Sequence, residues 1–100
     1  MPVTHYVAET KILRRVALNK PRYLWGIHAP TEMANENPPV TEGDIQHALQ
    51  NGTVLLEEYG RDTRWRVRGK DLDGRSIIII VAVYEDDNAI KVVTVFSGTK

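Results

Sequence analysis

Apolar residues in the first half of the chain recur every three to four positions, and beyond Gly52 they alternate every second position. Between residues 4 and 18, Tyr6, Val7, Ile12, Leu13, Val16 and Ala17 fall on one stripe, while Lys11, Arg14 and Arg15 fall on the other side. That period predicts an amphipathic helix. Thr4 can cap its start, and Asn19 followed by Pro21 can end it. The run Tyr23-Leu24-Trp25-Gly26-Ile27 fits either an extended stretch or the lead into a second helix near residues 31–35. Asn35-Glu36-Asn37-Pro38-Pro39 then breaks the pattern. Thr41-Glu42-Gly43-Asp44 places a hydroxyl at an N-cap and carboxylates in the first turn, where they favour free amides and the helix dipole. Ile45, Ala48 and Leu49 supply the apolar stripe of this helix, and Asn51-Gly52 ends it.

The period of two that follows predicts four strands over residues 53–59, 63–72, 75–84 and 89–97. Asp73-Gly74 reads as a tight two-residue hairpin turn, because glycine accepts the positive φ such turns need. Two-residue turns throughout would set Glu57 opposite Arg66, Tyr59 opposite Arg64 and Arg68 opposite Ile79. Residues 77–83 are apolar on both faces, which predicts a central strand. The expected fold class is α+β, with N-terminal helices followed by a four-stranded antiparallel sheet.

One hundred residues with 42% hydrophobic and 26% charged positions make a single domain with one core and exclude a disordered chain. The absence of cysteine excludes disulfides, thiolate metal sites and a cysteine nucleophile, and points to a reducing compartment. The N-terminus lacks the layout of a signal peptide, and the longest apolar run, 77–84, is too short to span a bilayer. A cytoplasmic protein without membrane contact is expected. Net charge is zero, yet the charges are sorted: Lys11, Arg14, Arg15, Lys20 and Arg22 form one basic block and Arg64, Arg66, Arg68, Lys70 and Arg75 a second, with an acidic stretch between. Such blocks either neutralise one another in the fold or present a basic face to an anionic partner.

Arg64-Trp65-Arg66-Val67-Arg68 sends three guanidiniums to one face of a strand and Trp65 and Val67 to the other. Guanidiniums keep their charge and bind phosphate oxygens bidentately, and Tyr59 beside Arg64 could stack on a base. The alternative is a solvated strand face with a cross-strand ion pair. His28, Glu32, Glu36 and His47 follow no recognised metal motif, and no metal or other cofactor is expected. Nucleotide-binding loops and hydrolase elbows are likewise absent.

A further set of residues carries a family resemblance over residues 23–97: His28-Ala29 with Met33, the stretch from Val40 through Thr41-Glu42-Gly43-Asp44 to Asn51-Gly52, Arg66-Val67-Arg68-Gly69, Asp73-Gly74-Arg75, and Lys91-Val92-Val93-Thr94-Val95-Phe96. In these the chain resembles an uncharacterised bacterial domain family grouped with the RelE/BrnT-like toxin superfamily. The resemblance implies a RelE-like helix-plus-sheet fold and metal-independent cleavage of messenger RNA by a toxin held in check by an antitoxin. His28, Arg66 and Arg75 match the catalytic positions of that pattern, and Tyr59, Arg64 and Arg68 join them as RNA-binding residues from strand geometry. Glu32 and Glu36 stand where the pattern has arginines. Two functions are therefore expected as alternatives: a toxin-related RNA-binding domain or ribonuclease, and a non-catalytic protein-interaction module or homodimer that pairs through a sheet edge or apolar face.

Overall fold

The computed structural model describes residues 6–58 and 62–97. The chain runs α1 (Val7–Leu18), β1 (Arg22–Trp25), α2 (Ala29–Asn35), α3 (Glu42–Gln50), β2 (Thr53–Glu58), β3 (Arg64–Lys70), β4 (Ser76–Tyr84) and β5 (Ala89–Ser97). The class is α+β as expected, but the sheet is five-stranded and mixed, in the order β1-β5-β4-β3-β2, rather than four-stranded and antiparallel. The added strand is β1, which pairs in parallel with β5 from Arg22↔Ala89 to Trp25↔Val92. A run of four residues whose partner lies far along the chain leaves little local signal.

Local chemistry fixes the helices. Thr41 Oγ1 accepts from the Asp44 amide and Asp44 Oδ2 accepts from the Thr41 amide, a reciprocal capping box that starts α3 where the sequence places it. Asn19 closes α1 as expected, whereas the proposed cap Thr4 lies outside the described residues. Leu13, Val16 and Ala17 of α1, Ala29 and Met33 of α2, and Ile45, Ala48 and Leu49 of α3 form one core with Val54, Val67, Ile77, Ile79, Val81, Ile90, Val92 and Val95. All three helices therefore cover the same face of the sheet. The closest approach is at Gly69, where an added Cβ would stand 2.1 Å from the Ala48 carbonyl oxygen.

Both strand registers differ by one position from the expected ones. The β3–β4 hairpin closes with the Asp71 amide donating to Arg75 O and the Gly74 amide to Asp71 O, and Gly74 takes φ 87°. This is a three-residue loop, Leu72 to Gly74, so Arg68 faces Ile78 and not Ile79. On the other side, Glu57 faces Trp65 and Leu56 faces Arg66, and a bulge between Val54 and Leu56 then shifts the pairing by one more position, to Val54 opposite Val67. A one-position slip exchanges every cross-strand partner. The expected Glu57–Arg66 pair is thus replaced by a hydrogen bond from Trp65 Nε1 to Glu57 Oε2 at 2.8 Å. The expected Tyr59–Arg64 pair falls on a residue outside the described ones.

The helices also close the sheet edges. β1 ends at Trp25, and beyond it α2 lies along β5, with Glu32 Oε1 accepting from the Val95 amide and Glu36 Oε1 from the Ser97 amide. Residues i and i+4 of a helix rise about 6 Å, close to the roughly 6.6 Å between residues i and i+2 of a strand, so two carboxylates meet successive outward amides. At the opposite edge, Thr10 Oγ1 accepts from the Val54 amide and Arg14 Nε donates to Gly52 O.

Candidate nucleic-acid interface

Along β3 the residues Arg64, Arg66, Arg68 and Lys70 alternate with Trp65, Val67 and Gly69. Trp65 and Val67 face the helix-side core. The strand period therefore turns all four cations to the face without helices. Register sets Arg66 beside Ile80 and Arg68 beside Ile78. On the other flank of β4 stand Phe96 beside Ile78, Thr94 beside Ile80, Lys91 beside Ala82 and Ala89 beside Tyr84. The result is an apolar floor of Ile78, Ile80 and Ala82, with cations along its β3 side, Lys91 on its β5 side, and the aromatic rings of Tyr84 and Phe96 towards its ends.

Ile78 is 2% and Ala82 1% exposed although no helix covers them. Half-buried Arg66 flanks Ile80, Lys91 flanks Ala82 and Phe96 flanks Ile78, and long cationic side chains bury their methylenes while keeping the charged head in water. Within the described residues, Arg64, Arg66 and Lys91 form no hydrogen bond or ion pair, and Arg66 Nε is buried without a partner. Lys70 Nζ donates to Ser76 Oγ at 3.0 Å. Acidic groups gather at the β2–β3 end of the face. Glu58 is opposite Arg64, and Tyr84 donates its hydroxyl to Asp62 Oδ2 at 3.5 Å. Burial, reinforced by the Asp62 charge, raises the Tyr84 pKa, so its phenol stays protonated and acts as a donor. Fixed cations beside an apolar floor with aromatic rings can hold phosphate oxygens and stack bases at the same time.

The sequence-predicted site residues do not come together as one group. Arg64, Arg66 and Arg68 share the helix-free face. His28 stands exposed at the head of α2, which lies along β5, so β5 and β4 lie between it and Arg66 on β3. Arg75 is a structural clasp: Nε donates to Asp71 Oδ2 at 2.9 Å, Nη1 to Pro38 O at 2.6 Å and Nη2 to Pro39 O. Asp71 is 2% exposed and also accepts from the Asp73 and Arg75 amides. Burial alone would raise its pKa, but these hydrogen bonds and the Arg75 charge outweigh burial and hold it below the usual carboxylate value. Tyr59 lies outside the described residues. Glu32 and Glu36, where the resemblance has arginines, are the carboxylates that pair with β5.

Sequence reasoning places Lys70 in a basic block and Lys91 and Phe96 among the residues of the family resemblance, but assigns neither them nor Tyr84 to the site. Lys70 continues the every-second-residue cation pattern of β3 and was legible there. Lys91 and Phe96 required the bulge between Ile80 and Val81, which shifts the β4–β5 register and brings both to this face. On the helix side, a pocket of about 410 Å³ is walled by Trp25, Pro30, Met33 and Val40, and Glu42 is its only charged lining residue. Its chemistry suits an apolar group and not a phosphate. Among the described residues, no group of three or more histidine, aspartate or glutamate side chains could hold a metal, and no helix is long and apolar enough to cross a membrane.

Residues 25–97 match the family described as Domain of unknown function (DUF4258), and the chain belongs to that family. The matched span runs from the end of β1 to the end of β5 and includes the whole cation face, while α1 precedes it. No curated protein and no solved structure matches the chain. Nothing in these comparisons connects it to the RelE/BrnT-like toxins.

Proposed function

We propose that this protein is an RNA-binding domain that holds RNA phosphates on the helix-free face of its sheet, with Arg64, Arg66, Arg68, Lys70 and Lys91 as the cationic contacts. The observation that carries the reading is Arg66: a charged side chain whose Nε is buried without a partner among the described residues, in the middle of a row of cations. A buried donor left unmatched costs stability, and a phosphate oxygen would satisfy it. RNA fits better than duplex DNA, because a flat sheet face offers no helix or ribbon to enter a major groove. The reading is one of binding without cleavage, since His28 and Arg75, the other residues matched to a catalytic pattern, are respectively two strands away from Arg66 and engaged by Asp71. Pairing through a sheet edge is disfavoured where Glu32, Glu36, Thr10 and Arg14 already occupy edge backbone groups.

The test is fluorescence anisotropy of a labelled RNA against wild type and Arg66→Met over a range of KCl concentrations, with the RNA checked for integrity afterwards. The expected result is a linear fall of log K with log salt, a weaker variant with a shallower slope, and intact RNA. Equal affinity for both proteins would remove the face from the account. RNA cleavage lost in Arg66→Met would replace it with the toxin-related ribonuclease reading.

A further inference from the structure

Resting on the RNA-binding reading, we infer that the ligand is a single RNA strand laid along β3, with its phosphates on Arg64, Arg66, Arg68 and Lys70 and its bases turned across β4 to stack at Phe96 and Tyr84. The geometry sets this direction. Alternate residues of a strand are roughly 6.6 Å apart, so β3 presents a straight, evenly spaced line of cations that an extended nucleotide chain can follow, one phosphate after another. The β5 residues lie two strands away, roughly 10 Å across the sheet. Between the cations and Phe96 stand Ile78, Ile80 and Ala82, none more than 9% exposed, so this stretch offers no charge to a sugar-phosphate chain and bases pass over it to reach the two rings. Phe96 flanks Ile78 and Tyr84 follows Val83 at the other end of β4, so the two aromatic rings bracket the floor lengthwise. Thr94, beside Ile80, places a hydroxyl between them that can meet a ribose 2′-hydroxyl.

A duplex cannot use this arrangement. Its bases are stacked and paired inside the helix, and its phosphates wind away from a straight row after a few steps, so it would engage the cations without reaching Phe96. The two halves of the site then have separable signatures: cations govern the salt dependence, and rings govern affinity at any salt.

The experiment measures anisotropy of three labelled probes, a short oligouridylate, the same strand annealed to its complement, and the matching oligothymidylate, with wild type, Phe96→Leu and Lys70→Ala. Phe96→Leu keeps an apolar side chain on β5, and Lys70→Ala acts at an exposed strand end, so the second variant stands if the first fails to fold. The inference expects the single RNA strand to bind more tightly than the duplex or the DNA strand. It expects Phe96→Leu to weaken binding by roughly 5- to 150-fold with an unchanged salt slope, as loss of base stacking does. Lys70→Ala should make the slope shallower by about 0.7, the share of one phosphate on a single strand. Duplex bound as tightly as single strand, or wild-type affinity in Phe96→Leu, would overturn this arrangement while leaving phosphate binding by the face intact. Equal binding of the DNA strand would overturn the ribose assignment. Binding of none of the probes would remove the RNA reading itself, and this inference with it.

Discussion

Replacing Arg66 by methionine separates what the residue contributes to the fold from what it offers a ligand. Methionine keeps an unbranched apolar stem over Ile80 and Leu56, its cross-strand neighbours, and removes the guanidinium. Because Arg66 Nε is buried with no acceptor and the side chain enters no ion pair among the described residues, no stabilising polar contact is lost. Leaving a buried donor unsatisfied costs about 1–3 kcal/mol. Part of this is offset by favourable solvation of the exposed end of the guanidinium, so the net gain expected from Arg66→Met is about 1 kcal/mol. For a domain of this size that corresponds to a rise in Tm of about 4–8 °C. Urea denaturation followed by circular dichroism reads the change directly, as a higher midpoint at unchanged slope. A loss of about 1 kcal/mol or more would refute the reasoning, because it would mean that Arg66 is held by the fold and not kept available at the fold's expense.

Two other predictions concern the scaffold behind the face. Gly69→Ala would place a Cβ 2.1 Å from Ala48 O, 2.7 Å from its carbonyl carbon and 2.9 Å from its Cα, all of them helix backbone. α3 would have to lift from β3, at an expected loss of about 3 kcal/mol or more in urea denaturation, and near-wild-type stability would contradict this packing. The second concerns acid. Asp44 is buried, which alone would raise its pKa, but hydrogen bonds donated by the Thr41 and Leu72 amides lower it overall, and Asp71 is lowered in the same manner. With folded pKa values below those of the unfolded chain, protons bind the unfolded state more tightly. The stabilisation is present above about pH 4 and is lost as pH falls through the folded values. Urea midpoints should be level around neutrality and fall steeply below about pH 4, and Asp71→Asn should flatten that fall. An equally steep fall in the variant would show that these hydrogen bonds are not its source.

Much of this architecture is written locally in the sequence. The capping box of α3 needs only Thr41 and Asp44, and the cation row of β3 needs only the alternation from Arg64 to Lys70, so both are legible without the fold. β1 was ambiguous because four residues carry no periodic signal and their partner is Ala89 to Val92. The β3–β4 register differs because Asp71 accepts two amides and widens that loop by one residue, and bulges near Leu55 and Val93 shift the pairing again inside strands that read as regular. Arg75 shows the limit for site residues. Its guanidinium chemistry suits phosphate, but the Asp71 carboxylate four residues before it and the Pro38 carbonyl bind it in the fold. Glu32 and Glu36 show the converse, since side chains that repel phosphate are used to complete the edge of β5.

The central claim is a location, and an amide-resolved NMR titration with a short single-stranded oligouridylate tests it most directly. The account predicts that shifts concentrate on Arg66, Arg68 and Lys70 of β3, Ile78 and Ile80 of β4, and Lys91, Thr94 and Phe96 of β5, and that they weaken with added salt. Shifts centred instead on His28, α2 and the pocket beside Trp25 would contradict it.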